Sequence, residues 1–269
     1  LNLRLSPGDL SYIINHADDK VLIVDQVLLP LLEKFKGEIK VRHIVVVPNG
    51  NGPVPGGFLN YEDIIAGGNE EDFRLYEGDE NAAASLCYTS GTTGQPKGVL
   101  YSHRSIVLHA MAICFSFGEA FRENDVVLPV VPMFHVNAWG TPFFNTMLGA
   151  TQVLPGPHLD PVSLLELFDS EQVTWTAGVP TIWTGILQTL DTQPVRYNLN
   201  AMRFLIVGGA AAPKAMIQGF EQRHNLRVIQ AWGMTETSPL GTVSYIGSDQ
   251  VSLPFEEQLS YRAKQGKPV

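Results

Sequence analysis

The sequence predicts an α/β fold with substantially parallel sheets, on three observations. Short runs rich in Val, Ile and Leu recur along the chain, helical patterns separate them, and the runs are continuously apolar rather than alternating. Consecutive apolar residues in a strand mean that both faces are covered, which is the condition of a sheet with helices on either side.

Each element follows in order. Ser6-Pro7 supplies an N-cap and a first-turn proline for a helix carrying Leu10, Ile13 and Ile14. Strands are expected at Val21–Asp25 and Val41–Val47. The Gly-, Pro- and Asn-dense stretch from Pro48 to Gly57 and the acidic stretch from Gly67 to Glu80 read as surface loops around a short helix at Tyr61–Ala66. A strand at Ser85–Ser90 leads into a glycine-rich segment and a second apolar run, Val99-Leu100. A helix over His103–Phe115 places Ile106, His109, Ala110 and Ile113 at helical spacing. Strands at Val126–Val131, Gln152–Leu154, Thr174–Gly178, Phe204–Val207 and Val228–Ala231 then alternate with helices. Those helices start at Asp160-Pro161, at Pro180 and at Pro213, and carry Leu164, Leu165 and Phe168, then Ile182–Leu190, then Met216–Phe220.

Composition narrows the function. At 45% hydrophobic and 17% charged the chain is an ordinary globular one. A formal charge of −9 argues against nucleic-acid binding, which relies on Lys and Arg neutralising phosphates. It leaves mononucleotides open, because their sites use backbone N–H groups and one or two side chains. Cys87 and Cys114 sit in apolar stretches without metal or redox spacing, so free thiols in a reducing cytoplasm are expected. No apolar run reaches the roughly 20 residues that span a bilayer; peripheral membrane contact and a homodimer both stay open.

The most informative segment is Tyr88-Thr-Ser-Gly-Thr-Thr-Gly-Gln-Pro-Lys-Gly98. Glycines let backbone N–H groups turn onto phosphate oxygens, hydroxyls add donors, and a lysine brings a compact positive charge. The Walker A spacing fails, since Pro96 stands five residues after Gly91, and no dinucleotide fingerprint is present.

This string resembles the signature loop of the adenylate-forming superfamily, which includes acyl-CoA synthetases, luciferases and peptide-synthetase adenylation domains. The resemblance runs over essentially the whole chain, and three further motifs follow in the family's order. Val131-Pro-Met-Phe-His-Val-Asn-Ala-Trp-Gly140 is similar to its carboxylate-pocket motif, Leu205-Ile-Val-Gly-Gly-Ala-Ala-Ala-Pro213 to its adenine turn, and Gln230-Ala-Trp-Gly-Met-Thr-Glu-Thr237 to its adenine- and metal-binding motif.

The resemblance implies joining of a carboxylate to AMP and transfer of the acyl group to a thiol, with ATP, Mg2+ and CoA required. For the nucleotide it implicates Thr89, Ser90, Gly91, Thr92, Thr93, Gly94 and Lys97, then Gly209, Ala210 and Ala211, then Gln230, Ala231, Trp232, Gly233, Met234 and Thr235. It assigns catalysis to Lys97, His135, Thr235 and Glu236, the acid to His135, Val136 and Trp139, and the metal to Thr89 and Glu236. The family usually has Tyr where this chain has Trp232, so stacking survives and the phenol's hydrogen bond does not.

The pocket motif, His158-Leu-Asp-Pro and Arg262-Ala-Lys-Gln-Gly resemble bacterial medium- to long-chain fatty-acid–CoA ligases. An aryl or amino acid substrate and a noncatalytic nucleotide-binding relative are the alternatives. The expected organisation is an incomplete first lobe over 1–84 and an ATP- and acyl-binding lobe over 85–269, cut from a longer chain. The family's ribose-binding Asp, hinge and C-terminal domain are not found, so the fragment is expected to be inactive alone.

Overall fold

The computed structural model describes residues 1–50, 52–89, 94–117, 120–193 and 196–269. They fall into two compact units, Leu1–Ala82 with Tyr88–Leu100, and Ala83–Cys87 with Tyr101–Val269. The glycine-rich segment groups with the first unit.

In the first unit, α1 (Pro7–His16) begins where Ser6 accepts a hydrogen bond from the Asp9 N–H, as its Ser-Pro start predicts. It is followed by β1 (Val21–Asp25), the short α2 (Leu29–Leu32), β2 (His43–Val47), β3 (Leu59–Asn60) and α3 (Tyr61–Ala66). The three strands form a parallel sheet in the order β1-β2-β3. Leu10 and Ile14 from α1 pack with Leu32 and Phe35 against Leu22, Val24 and Ile44 of the sheet.

The remaining elements are β4 (Ala83–Thr89), β5 (Lys97–Ser102), α4 (His103–Ser116), β6 (Val126–Pro129), a helical turn α5 (Val136–Trp139), α6 (Thr141–Leu148) and β7 (Thr151–Gln152). Then come α7 (Pro161–Ser170), β8 (Trp175–Gly178), α8 (Pro180–Thr192), β9 (Phe204–Val207), α9 (Lys214–His224), β10 (Arg227–Gly233), β11 (Leu240–Val243), α10 (Phe255–Arg262) and β12 (Lys267–Pro268). β4 and β5 make a two-stranded ribbon.

The second unit is built on a sheet ordered β12-β11-β10-β9-β8-β6-β7, parallel from β10 to β7 and antiparallel at β11 and β12. Successive residues of its central strands enter opposite cores. Leu205 and Val207 join a core under α7, α8, α9 and α10, while Phe204 and Ile206 join one under α4 and α6. All four are buried, which is why β9 reads as an unbroken apolar run.

Helix starts match their sequence signals closely. Asp160 caps α7 by accepting from the Ser163 N–H, and Pro180 opens α8. Pro213 is the cap of α9 rather than its first helical residue. Strand ends are set by neighbours, so β7 is Thr151–Gln152 and shares only Gln152 with the expected Gln152–Leu154, and β10 runs on through Gly233 because β11 pairs with it. The sequence did not announce β3, β11, β12 or α10, and it marked β5 only by its two apolar residues.

Cys87 and Cys114 are free thiols. Among the described residues, no helix is long and apolar enough to cross a membrane.

Candidate nucleotide and acyl site

The chain leaves β6 and reaches the site through an unusual turn. Val136, Asn137, Ala138 and Trp139 have φ of 49°, 51°, 52° and 59°, so α5 is a single left-handed turn, closed by Gly140 at φ 75°. Each non-glycine residue held this way costs about 1–2 kcal/mol, and the turn persists because its surroundings fix it. The Ser85 hydroxyl donates to Asn137 Oδ1 at 3.1 Å and accepts from Asn137 Nδ2 at 3.0 Å. The Cys87 thiol stands 3.7 Å from the same Oδ1, and Thr141 Oγ1 donates to the Ala138 carbonyl at 2.8 Å. Val136 and Ala138 are buried.

That turn puts His135, Val136 and Trp139 on the wall of a cavity enclosing about 650 Å3 of empty space, part of it open to solvent. His135 is solvent-accessible, yet the apolar groups around it desolvate the ring and lower its pKa below the ordinary value. The same desolvation favours the neutral imidazole over its charged form.

The second wall comes from the turn after β9. A Cβ on Gly208 would stand 2.9 Å from the Trp139 ring, and one on Gly209, at φ 77°, 3.1 Å from Val179. Two sequence motifs thus meet in one contact, with Trp139 lying on the small residues that follow β9. Gly209 lines the cavity, whereas Ala210 and Ala211 are exposed and are not among its lining residues. Gln230 is not among them either: it is buried, its Oε1 accepts from the Ala212 N–H at 2.8 Å, and its Nε2 donates to the Lys264 carbonyl. Its side chain shapes the turn from behind.

Ala231, Trp232, Gly233 and Met234 complete the wall. Trp232 is 40% exposed and covers Gly241, whose Cβ would fall 2.8 Å from the ring. Thr235–Thr237 form a 3₁₀ turn that returns the chain to β11, closed by Met234 N–H to the Pro239 carbonyl at 3.0 Å. Glu236 is exposed on this turn. The Tyr101 hydroxyl donates to the Thr235 carbonyl at 2.5 Å, and the Leu240 N–H donates to His109 Nε2 at 2.9 Å. Burial raises the Tyr101 pKa, with Cys87 and Glu236 adding to the rise, and burial lowers that of His109 to about 4. Tyr101, His109 and Asn137 were not singled out as site residues, because their role depends on partners 50 or more positions away.

The buried end of the cavity is aromatic. Phe121 lies 5.1 Å from Phe144 and 4.8 Å from Trp175 between ring centroids, and Phe144 stacks on Trp175 at 5.7 Å. Phe117 and Ile113 extend the apolar wall. Ligands of open α/β sheets bind at the carboxyl ends of the strands, and this cavity lies there, past β8, β9 and β10.

Of the glycine-rich segment, Ser90, Gly91, Thr92 and Thr93 lie outside the described residues. Thr89 Oγ1 donates to the Lys97 carbonyl at 3.5 Å, and Lys97 is exposed at the start of β5. Gly94 has φ 130°, a conformation that side chains rarely adopt. Before the loop, the Tyr88 hydroxyl pairs with His16 Nδ1 at 2.7 Å. These residues belong to the first unit.

A sheet of this topology with a cavity at its strand ends defines a small-molecule-binding α/β protein. The chain belongs to the AMP-binding enzyme family, which it matches over residues 1–269. It is 50% identical over 270 residues to a long-chain-fatty-acid–CoA ligase of Thermus thermophilus, covering 100% of this chain and 48% of that protein. It is 44% identical over 272 residues to a medium-chain-fatty-acid–CoA ligase of Ectopseudomonas oleovorans, covering 100% and 49%. Among solved structures it resembles the anthranilate CoA ligase AuaEII in complex with anthranoyl-AMP, with a TM-score of 0.85 and 26% identity over 100% of this chain and 49% of that one. The chain spans about half the length of the curated relatives it matches.

Proposed function

We propose that the protein activates a fatty acid with ATP, forming an acyl-adenylate and pyrophosphate, and passes the acyl group to CoA with release of AMP. The observation that carries this reading is the cavity itself, which runs from an exposed edge with His135, Trp139 and Trp232 to a buried apolar end.

A carboxylate is a poor electrophile, and adenylation gives it a good leaving group. A carboxylate oxygen attacks the α-phosphorus and pyrophosphate leaves; the CoA thiolate then attacks the acyl carbon and AMP leaves. Negative charge gathers on the phosphates during the first step, so catalysis is positional and electrostatic. In this reading Trp232 stacks on adenine, Gly209 lies against the base, and Thr235 donates to the phosphates. Neutral His135 orients the carboxylate without forming an ion pair that would lower its nucleophilicity.

Among the described residues no three His, Cys, Asp or Glu side chains gather into a metal cluster. The exposed carboxylate of Glu236 suits Mg2+, which takes one or two carboxylates together with phosphate oxygens and water. Glu236 would hold it, and it would supply positive charge to the phosphates.

A second reading replaces the alkyl chain with an aryl acid, favoured by the Phe121, Phe144 and Trp175 cage. The test is acid-dependent pyrophosphate release by the full-length protein with ATP, Mg2+ and CoA, across acetate, octanoate, palmitate, benzoate and amino acids. A maximum at octanoate or palmitate supports the fatty-acid reading; activity confined to benzoate supports the second, and no activity with any acid refutes both. By the same reading the activity is cytoplasmic, supported by two free thiols, which suit a reducing compartment.

A further inference from the structure

The turn at residues 235–240 carries two of the groups assigned to the phosphates and the metal, and it is pinned at both ends by one segment. At its start the Tyr101 hydroxyl donates to the Thr235 carbonyl at 2.5 Å; at its end the Leu240 N–H donates to His109 Nε2 at 2.9 Å. Tyr101 lies at the end of β5 and is 5% exposed, and His109 lies on α4. Neither is a member of the motifs read from the sequence, and the chemistry proposed above uses neither.

The two pins govern different parts of the site. Tyr101 fixes the carbonyl of Thr235, one residue before Glu236. His109 fixes Leu240, beside Gly241, and Gly241 is the floor under Trp232. The His109 ring also reaches the other motif, since a Cβ on Gly140 would stand 3.5 Å from its Nδ1. Accepting from the Leu240 N–H requires an unprotonated Nε2, so the ring is the Nδ1–H tautomer.

We infer that Tyr101 and His109 are positioning residues for adenylation, with Tyr101 setting Glu236 for the metal and His109 setting Trp232 for the base. The inference rests on the proposed nucleotide activation, and it predicts a split that a purely structural role would not give.

The experiment measures calorimetric ATP binding to the full-length protein, with and without Mg2+, for wild type, Tyr101→Phe, His109→Phe and His109→Gln, together with melting temperature. Losing one hydrogen bond to a turn corresponds to roughly a fivefold change in an equilibrium constant. Tyr101→Phe, which keeps the ring, is expected to weaken ATP binding by about that factor only when Mg2+ is present. His109→Phe weakens it to a similar extent in both conditions. His109→Gln, whose Oε1 can accept from the Leu240 N–H, recovers most of the loss.

Equal losses in both conditions for Tyr101→Phe, His109→Gln no better than His109→Phe, or no change in any variant would overturn the inference. Wild-type protein that binds MgATP but releases no pyrophosphate with any acid refutes the acid-activation reading and leaves this comparison decisive. Wild-type protein that does not bind ATP refutes both.

Discussion

Asn137→Ala removes the side chain that ties the left-handed turn Val136–Trp139 to β4. Two hydrogen bonds to Ser85, at 3.0 and 3.1 Å, are lost, and the part-buried Ser85 hydroxyl loses its partner. That contributes about 1–3 kcal/mol. Alanine also tolerates φ of 51° less well than asparagine, which adds up to about 1 kcal/mol. The expected destabilisation is therefore about 1–4 kcal/mol. Asn137→Gly loses the same hydrogen bonds but accepts the left-handed backbone, so it lies about 0.5–1 kcal/mol above the alanine variant after the entropy of glycine is included. The assay is urea unfolding followed by tryptophan fluorescence, with stability taken from the midpoint at a common slope. An alanine variant within about 0.5 kcal/mol of wild type, or a glycine variant less stable than the alanine one, would refute the account of a strained turn held by its asparagine.

Gly208→Ala drives a methyl group against Trp139, at 2.9 Å, and against the Ala231 carbonyl, at 3.2 Å, so the indole must shift. Overpacking of this kind costs about 1–3 kcal/mol, read as a lower melting temperature together with an altered KM for the acid but not for CoA. Trp232→Ala is expected to raise the KM for ATP about tenfold or more through lost base stacking, while Trp232→Tyr stays much closer to wild type; steady-state kinetics distinguish them. The pH dependence of stability follows from His109, whose folded pKa is about 4 against an ordinary 6.5. With the folded value depressed, the unfolded chain takes up the proton first. Its contribution is therefore complete above about 6.5 and is lost as the pH falls toward about 4. Melting temperatures across that range should fall less steeply in His109→Gln, measured relative to its own value at neutral pH.

Much of the fold was legible because its signals are local. Ser6, Asp160 and Pro180 start helices through groups within one turn, and the unbroken apolar run of β9 follows from cores on both sides of the sheet. Elements defined by their neighbours were not. β12 is Lys267–Pro268, a lysine and a proline that count as a strand because β11 lies alongside, and α10 has few apolar residues, with Leu259 supplying the buried contact.

The candidate site divides the same way. The sequence by itself determined which residue types stand in which order: a glycine-rich loop with Lys97, His135 and Trp139 after a strand, small residues after β9, and Trp232 with Glu236 after β10. Those choices are local requirements of backbone freedom, charge and flat surfaces. Only the tertiary structure decided that Trp139 rests on Gly208, that Asn137 holds a left-handed turn through Ser85, and that Tyr101 and His109 clamp the turn bearing Thr235 and Glu236. Such contacts join residues 52 to 134 positions apart on different elements, and hydrogen bonds and close packing depend on distance in space, which a pattern along the chain does not encode.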